Sequence, residues 1–162
     1  MFDILLYLYD TYLLTDQMPD AEHLSRKLSA VGFEDEAISE ALNWLSGLEE
    51  LQPEGITPAG MRVYSVEETR RINVEGLGFL SFLSSAELLP PHAREWVIGQ
   101  ALALPDATIS AYRIKWIALL AIWKLRGAGD VLWLEDLVRG QAADASDDSG
   151  ADDAAAHTPT LH

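Results

Sequence analysis

The chain has 162 residues, no cysteine, and 26 acidic against 11 basic side chains, a net charge of -15; it can bury a core but has neither disulfides nor thiolate metal sites. The amino-terminal apolar stretch holds Asp3 and Asp10 rather than the bases of a signal peptide, and the longest apolar run, 116–123, is far short of the roughly 20 residues that cross a bilayer. These features argue against secretion and membrane insertion, and predict a cytoplasmic protein.

The charge is uneven. Residues 1–63 hold twelve acids against Arg26, Lys27 and Arg62, whereas residues 64–138 are nearly balanced, with nine acids and seven bases. The amino-terminal half therefore repels phosphate and attracts basic surfaces.

In chain order, residues 2–14 read as a helix that is apolar around most of its circumference. Phe2, Leu5, Leu6, Tyr9 and Leu13 form one face and Ile4, Leu8 and Tyr12 its neighbour, so the helix is expected between others. The chain is organised around the next stretch, 20–51. Asp20 is placed to cap a helix over about residues 21–30, with Leu24, Leu28 and Val31 on its packing face. Gly32 permits the left-handed turn that ends it, and Phe33 folds back over that turn. Glu34, Asp35 and Glu36 suit the first turn of a second helix. Ile38, Leu42, Leu45 and Leu48, widened by Ala41 and Trp44, form the stripe that faces the first.

Residues 52–60 are rich in turn formers, and Met61-Arg62-Val63-Tyr64 reads as a short strand. Ser65 with Glu68 forms a capping box for a helix to about Asn73. Gly76 and Gly78 interrupt or kink the pattern before Phe79, Leu80, Phe82 and Leu83, a group suited to burial. Pro90-Pro91 starts a helix with Trp96, Val97, Ala101 and Leu104 on its packing face, ended by Pro105. Ser110 caps the most apolar helix, about 111–126, where Ile114, Ile117, Leu120 and Ala121 share a face with Trp116 and Trp123 on either side; Gly127 and Gly129 stop it. Val131, Leu132, Leu134, Leu137 and Val138 suggest a last short helix, and the Asp- and Ala-rich composition that follows predicts disorder.

These elements predict an all-α chain in three parts. Residues 1–64 form a helix-turn-helix-like unit with a short loop or hairpin, residues 65–139 a helical bundle, and residues 140–162 a disordered acidic tail. The order of parts in 1–64 matches a winged helix, a DNA-binding module, and equally matches helical trios that bind proteins.

No constellation carries chemistry. His23, His92, His157 and His162 share no metal-ligand spacing, and His157 with Asp152 and Asp153 lies in the expected tail. Glu34, Asp35, Glu36 and Glu40 have the residue types of general acids or metal ligands, but such a run is more often a solvated helix start. Gly76-Leu77-Gly78-Phe79 has neither the preceding strand nor the third glycine of a dinucleotide loop. Arg94-Glu95 and Arg113 with Lys115 stand beside tryptophans that could frame a groove; more often such stems cover aromatic rings at a core edge. The sequence thus predicts no catalytic, cofactor or metal residues. It points to a non-enzymatic adaptor or regulatory protein binding a partner of basic character, whose anchors are sought among Trp44, Trp96, Trp116, Trp123 and Trp133. The alternative is nucleic-acid binding. It is disfavoured because the turn that would read bases is Glu34-Asp35-Glu36, near only Arg26 and Lys27.

Several segments, in this order, resemble the Smg family of bacterial proteins: Met1-Phe2-Asp3-Ile4-Leu5-Leu6-Tyr7-Leu8, Gly32-Phe33, Ala41-Leu42-Asn43-Trp44-Leu45, Met61-Arg62-Val63-Tyr64, Gly78-Phe79-Leu80, Arg94-Glu95-Trp96-Val97-Ile98 and Lys115-Trp116. The resemblance covers about residues 1–138. It implies no established activity and no catalytic or binding residues. Family genes often stand beside one for a DNA-processing protein, which implies at most a loose association with DNA metabolism. The long Asp- and Ala-rich tail departs from the family's shorter ending, although Leu161-His162 resembles it.

Overall fold

The computed structural model describes residues 1–12, 19–52, 62–127 and 134–136. Its elements are α1 (Phe2–Thr11), α2 (Ala21–Val31), α3 (Asp35–Glu49), α4 (Val66–Arg71), α5 (Val74–Ser85), α6 (Pro91–Ala103) and α7 (Ala111–Arg126). Among the described residues the chain is all-helical, and the only extended pairing there is an isolated parallel bridge between Ile72 and Ile109. The tail, Trp133, most of the 52–64 loop and the greater part of the last predicted helix lie outside the described residues.

Local signals in the sequence set most helix ends. The Asp20 carboxylate accepts from the His23 amide at 2.8 Å, and Gly32, at φ 110, closes α2 in the left-handed conformation. The Phe33 amide donates back to the Leu28 carbonyl at 3.2 Å, and its ring meets Tyr7 of α1 edge-on at 5.9 Å. The chain thus reverses and brings α3 against α2, with α1 also packed on α3. Leu24 and Leu28 of α2 face Ile38, Ala41, Trp44, Leu45 and Leu48 of α3 in one buried cluster. Val31, expected on that face, is instead 55% exposed, because α2 ends at this residue.

The second half is built around α7. Ile114 and the seven residues 116–122 are all buried, and α5 and α6 both pack against this helix, which also touches α3. A helix apolar on all sides is expected at the centre of a fold. Helix α1 lies between neighbours as expected: Ile4, Leu5, Leu8 and Tyr9 are buried, and the Tyr9 ring meets Trp116 of α7 at 5.3 Å. The core is therefore continuous across residue 64.

Four expectations need correction. The described part of the expected strand, Arg62 to Tyr64, forms no bridge; Arg62 and Tyr64 are held by contacts to α4, α5 and α6 instead, and Val63 is exposed. Helix α4 stops at Arg71, and Asn73 caps α5 rather than ending α4, accepting from the Gly76 amide at 3.0 Å. Gly76 and Gly78 do not interrupt α5, which runs through both. Phe82 is not core: it lies 49% exposed on the outer side of α5.

Candidate interaction surface

The most elaborate polar site lies where the two halves meet. Arg62 follows the turn-rich loop and sits between Glu68 of α4 and Glu95 of α6. Its guanidinium donates to both Glu68 oxygens at 2.7 and 2.8 Å and to both Glu95 oxygens at 2.6 and 2.7 Å. The Tyr64 ring lies 5.0 Å from the guanidinium carbon, and the Tyr64 hydroxyl is 3.3 Å from the Ser81 hydroxyl of α5.

Glu68 serves twice. It completes the capping box of α4, accepting from the Ser65 amide at 2.7 Å while its own amide donates to the Ser65 hydroxyl at 3.2 Å. Hydrogen bonds from Arg62 hold its carboxyl at about 2, well below the ordinary 4.5 and against the opposing effect of burial. The same arginine lowers Glu95, and the two carboxylates together raise Arg62. Arg94, largely buried, lies 3.3 Å from Glu95. With its charges paired, this cluster ties residues 62–64 to α4 and α6.

The other predicted residues separate into core and surface. Trp44 is buried against the half-buried Trp96 with ring centroids 5.2 Å apart, Trp116 is buried, and Trp123 is half-buried. Arg113 pairs with Asp106 at 2.6 Å and lies over Phe2, whereas Lys115 rests 5.6 Å from the Phe79 ring centre, its pKa lowered by burial. Glu34, Asp35, Glu36 and Glu40 are all exposed on α3 and do not converge. His23 is exposed on α2 and His92 half-buried on α6; His157 and His162 lie outside the described residues. Among the described residues no group of three or more His, Asp or Glu could hold a metal, and no helix is long and apolar enough to cross a membrane.

The geometry can be set beside known proteins. The chain is 43% identical over 143 residues to the Protein Smg homolog of Bordetella pertussis, covering 85% of this chain and 94% of that relative. A family model described as Protein of unknown function (DUF494) matches residues 1–146. The chain belongs to the Smg family. A Smg homolog of Methylobacillus flagellatus is 40% identical over 139 residues, covering 84% of this chain and 93% of the relative, and one of an Azoarcus species is 39% identical over an alignment of 167 residues spanning both chains fully. No solved structure matches.

Three of the segments that carry the Smg resemblance meet at the junction. Arg62 reaches Glu95, and Trp44 meets Trp96 edge-on, so the cluster joins segments distant in sequence. Sequence reading missed the hub because Arg62 and Glu68 are six residues apart, a spacing with no helical meaning. The capping box was legible, but not the lone pairs that Glu68 has left for Arg62.

Proposed function

We propose that this Smg-family chain is a non-enzymatic adaptor or regulatory protein that acts in the cytoplasm by binding another protein of basic character through its helical surface. The observation that supports this reading is the exposed acidic face of α3. Glu34, Asp35, Glu36 and Glu40 stand in solvent, and none is in an ion pair among the described residues. Unpaired carboxylates on one side of a molecule of net charge -15 raise the encounter rate with a basic partner. In this reading residues 1–64 steer the partner and residues 65–139 form the supporting helical bundle.

The second reading is nucleic-acid binding of winged-helix type, linked to DNA metabolism. It draws support from the packing of α3 on α2 across the tight Gly32 turn, which suits a recognition helix. It ranks second because that helix begins with carboxylates. The deciding experiment is an affinity pull-down of the full chain from the native cytoplasm, with and without nuclease. A defined protein partner recovered despite nuclease supports the adaptor. Loss of all bound material on nuclease treatment supports nucleic acid, and turnover of a small molecule by the purified chain overturns both.

A further inference from the structure

Residues 62–65 run to the start of α4 without a turn or bend. Their side chains alternate. Arg62 reaches inward to Glu68 and Glu95, and Tyr64 lies on the same side, its ring 5.0 Å from the Arg62 guanidinium carbon and its hydroxyl 3.3 Å from that of Ser81. Val63, between them, is 85% exposed. Side chains two apart on one face with the middle one outward mark an extended strand, and Ser65, at φ -69 and ψ 165, continues it.

This strand has no neighbour. Neither the N–H nor the C=O of Val63 or of Tyr64 has a hydrogen-bond partner among the described residues. The main-chain groups of an extended segment point sideways, and such an edge is a template for another strand. Proteins that keep an edge single commonly set a charge or a proline on it. Here the outward residue is a valine, a residue that favours pairing, and Val66, 80% exposed, follows in the first turn of α4. The Arg62 network already holds the strand in place, so docking does not bear the cost of ordering it.

The charges around the segment are largely matched on the spot. Arg62 and Arg94 face Glu68 and Glu95, Glu67 pairs with Arg70 at 3.3 Å, and Arg71 donates to the carbonyls that end α6. Glu75, exposed on the α5 helix that Tyr64 touches, is in no ion pair among the described residues.

We infer that residues 62–65 receive an extended segment of the partner protein as an added strand, its main chain bonding the Val63 and Tyr64 groups and an apolar side chain lying across from Val63. This rests on the adaptor reading and names how the partner is held: the acidic face of α3 steers it, and this edge binds it. The occupant is extended because a helix has no main-chain groups left to give. Its charge is set at long range, where the net -15 favours lysine or arginine at alternate places in the segment. A second copy fits the same edge about a twofold axis but brings another charge of -15 with it.

The test uses the full, isotope-labelled chain and two short peptides of alternating valine and lysine, identical except that one has every backbone amide N-methylated. Both carry the same charge, so general attraction to an acidic chain cancels in the comparison. The unmethylated peptide is expected to shift the Val63 and Tyr64 amides, to slow their hydrogen exchange, and to bind about tenfold more tightly, the worth of roughly two main-chain hydrogen bonds. Val63→Pro removes a donor that nothing in the described fold uses and suits the extended Arg62 before it. It is expected to abolish the difference between the peptides with an unchanged melting profile. Should that variant fail to fold, Val63→Lys keeps the main chain and weakens the unmethylated peptide through like charge and lost apolar contact. Equal affinities of the two peptides, protection confined to other segments or no binding at all would overturn the proposal. So would a dimer in sedimentation equilibrium that Val63→Pro dissolves, because the occupant is then a second copy. If a protein partner recovered by pull-down is retained by Val63→Pro and Val63→Lys alike, the adaptor stands and this edge falls.

Discussion

Arg62 donates to four carboxylate oxygens on two helices, so its removal leaves two partly desolvated anions facing each other. Cutting one partner out of such a pair costs about 3 kcal/mol where it is well buried, and Arg62→Met is expected to cost on the order of 2 kcal/mol because Glu95 is half-exposed. The pH dependence has a definite sign. Glu68 titrates at about 2 in the folded chain against the ordinary 4.5, so its stabilising effect is complete above 4.5 and is lost as pH falls from there through about 2. Denaturant titrations at neutral pH and at pH near 3 should therefore show a smaller gap between Arg62→Met and the parent at the lower pH; an unchanged gap would remove Arg62 as the cause. Two glycines of α5 give opposite expectations. A Cβ on Gly76 would lie 2.9 Å from the capping oxygen of Asn73 and 3.1 Å from Ile72 and Ile114, which outweighs the gain in helix propensity; Gly76→Ala should destabilise by about 1–3 kcal/mol. Gly78→Ala meets open space and should stabilise by up to about 1 kcal/mol. Thermal melts of the two variants shifting in the same direction would contradict this reading.

At the scale of the element, what proved legible was whatever the chain specifies locally. Asp20, Ser65 and Ser110 cap the helices expected of them, Pro91 opens α6, and Gly32 ends α2 in the left-handed region. Nothing within 4 Å would touch a side chain at Gly32, so Gly32→Ala isolates the backbone cost, about 1–2 kcal/mol, readable as a loss of the denaturation midpoint. No loss would mean that the turn relaxes freely. Illegible elements were those that tertiary contacts decide. Helix α4 stops at Arg71 because the chain then pairs with Ile109, where the Ile109 amide donates to the Arg71 carbonyl at 2.6 Å and the Asn73 amide to the Ile109 carbonyl at 3.1 Å. The Arg71 guanidinium itself donates to the carbonyls of Leu102, Leu104 and Asp106 at the end of α6. Those partners lie over thirty residues away, beyond any helical spacing. The tryptophans were not sorted by the sequence either: all five were candidates, several of them expected in the core, and among the four described ones only tertiary packing separates buried Trp44 and Trp116 from half-buried Trp96 and Trp123.

At the scale of the whole molecule, the contacts crossing residue 64 bear on cooperativity. Trp44 on Trp96, Tyr9 on Trp116 and Arg62 on Glu95 each join the first half to the second. Tryptophan fluorescence and far-ultraviolet circular dichroism should then report one coincident unfolding transition; two separated transitions would mean that the halves fold independently. The same scale decides the expectation for DNA. A protein holds a duplex chiefly by setting cations against phosphates. The cations nearest in sequence to the start of α3 are Arg26, paired at the surface with Glu22 at 3.9 Å, and Lys27, which lies over the Tyr12 ring at 5.4 Å. Around them Glu34, Asp35, Glu36 and Glu40 are exposed, so a duplex approaching α3 meets repulsion before any base edge is in reach. Titration of a labelled duplex at about 0.15 M salt should show no saturable binding, and lowering the salt should restore little, because few counterions would be released. Tight binding that weakens steeply with added salt would place a cationic surface outside the described helices and move nucleic acid ahead of a protein as the partner.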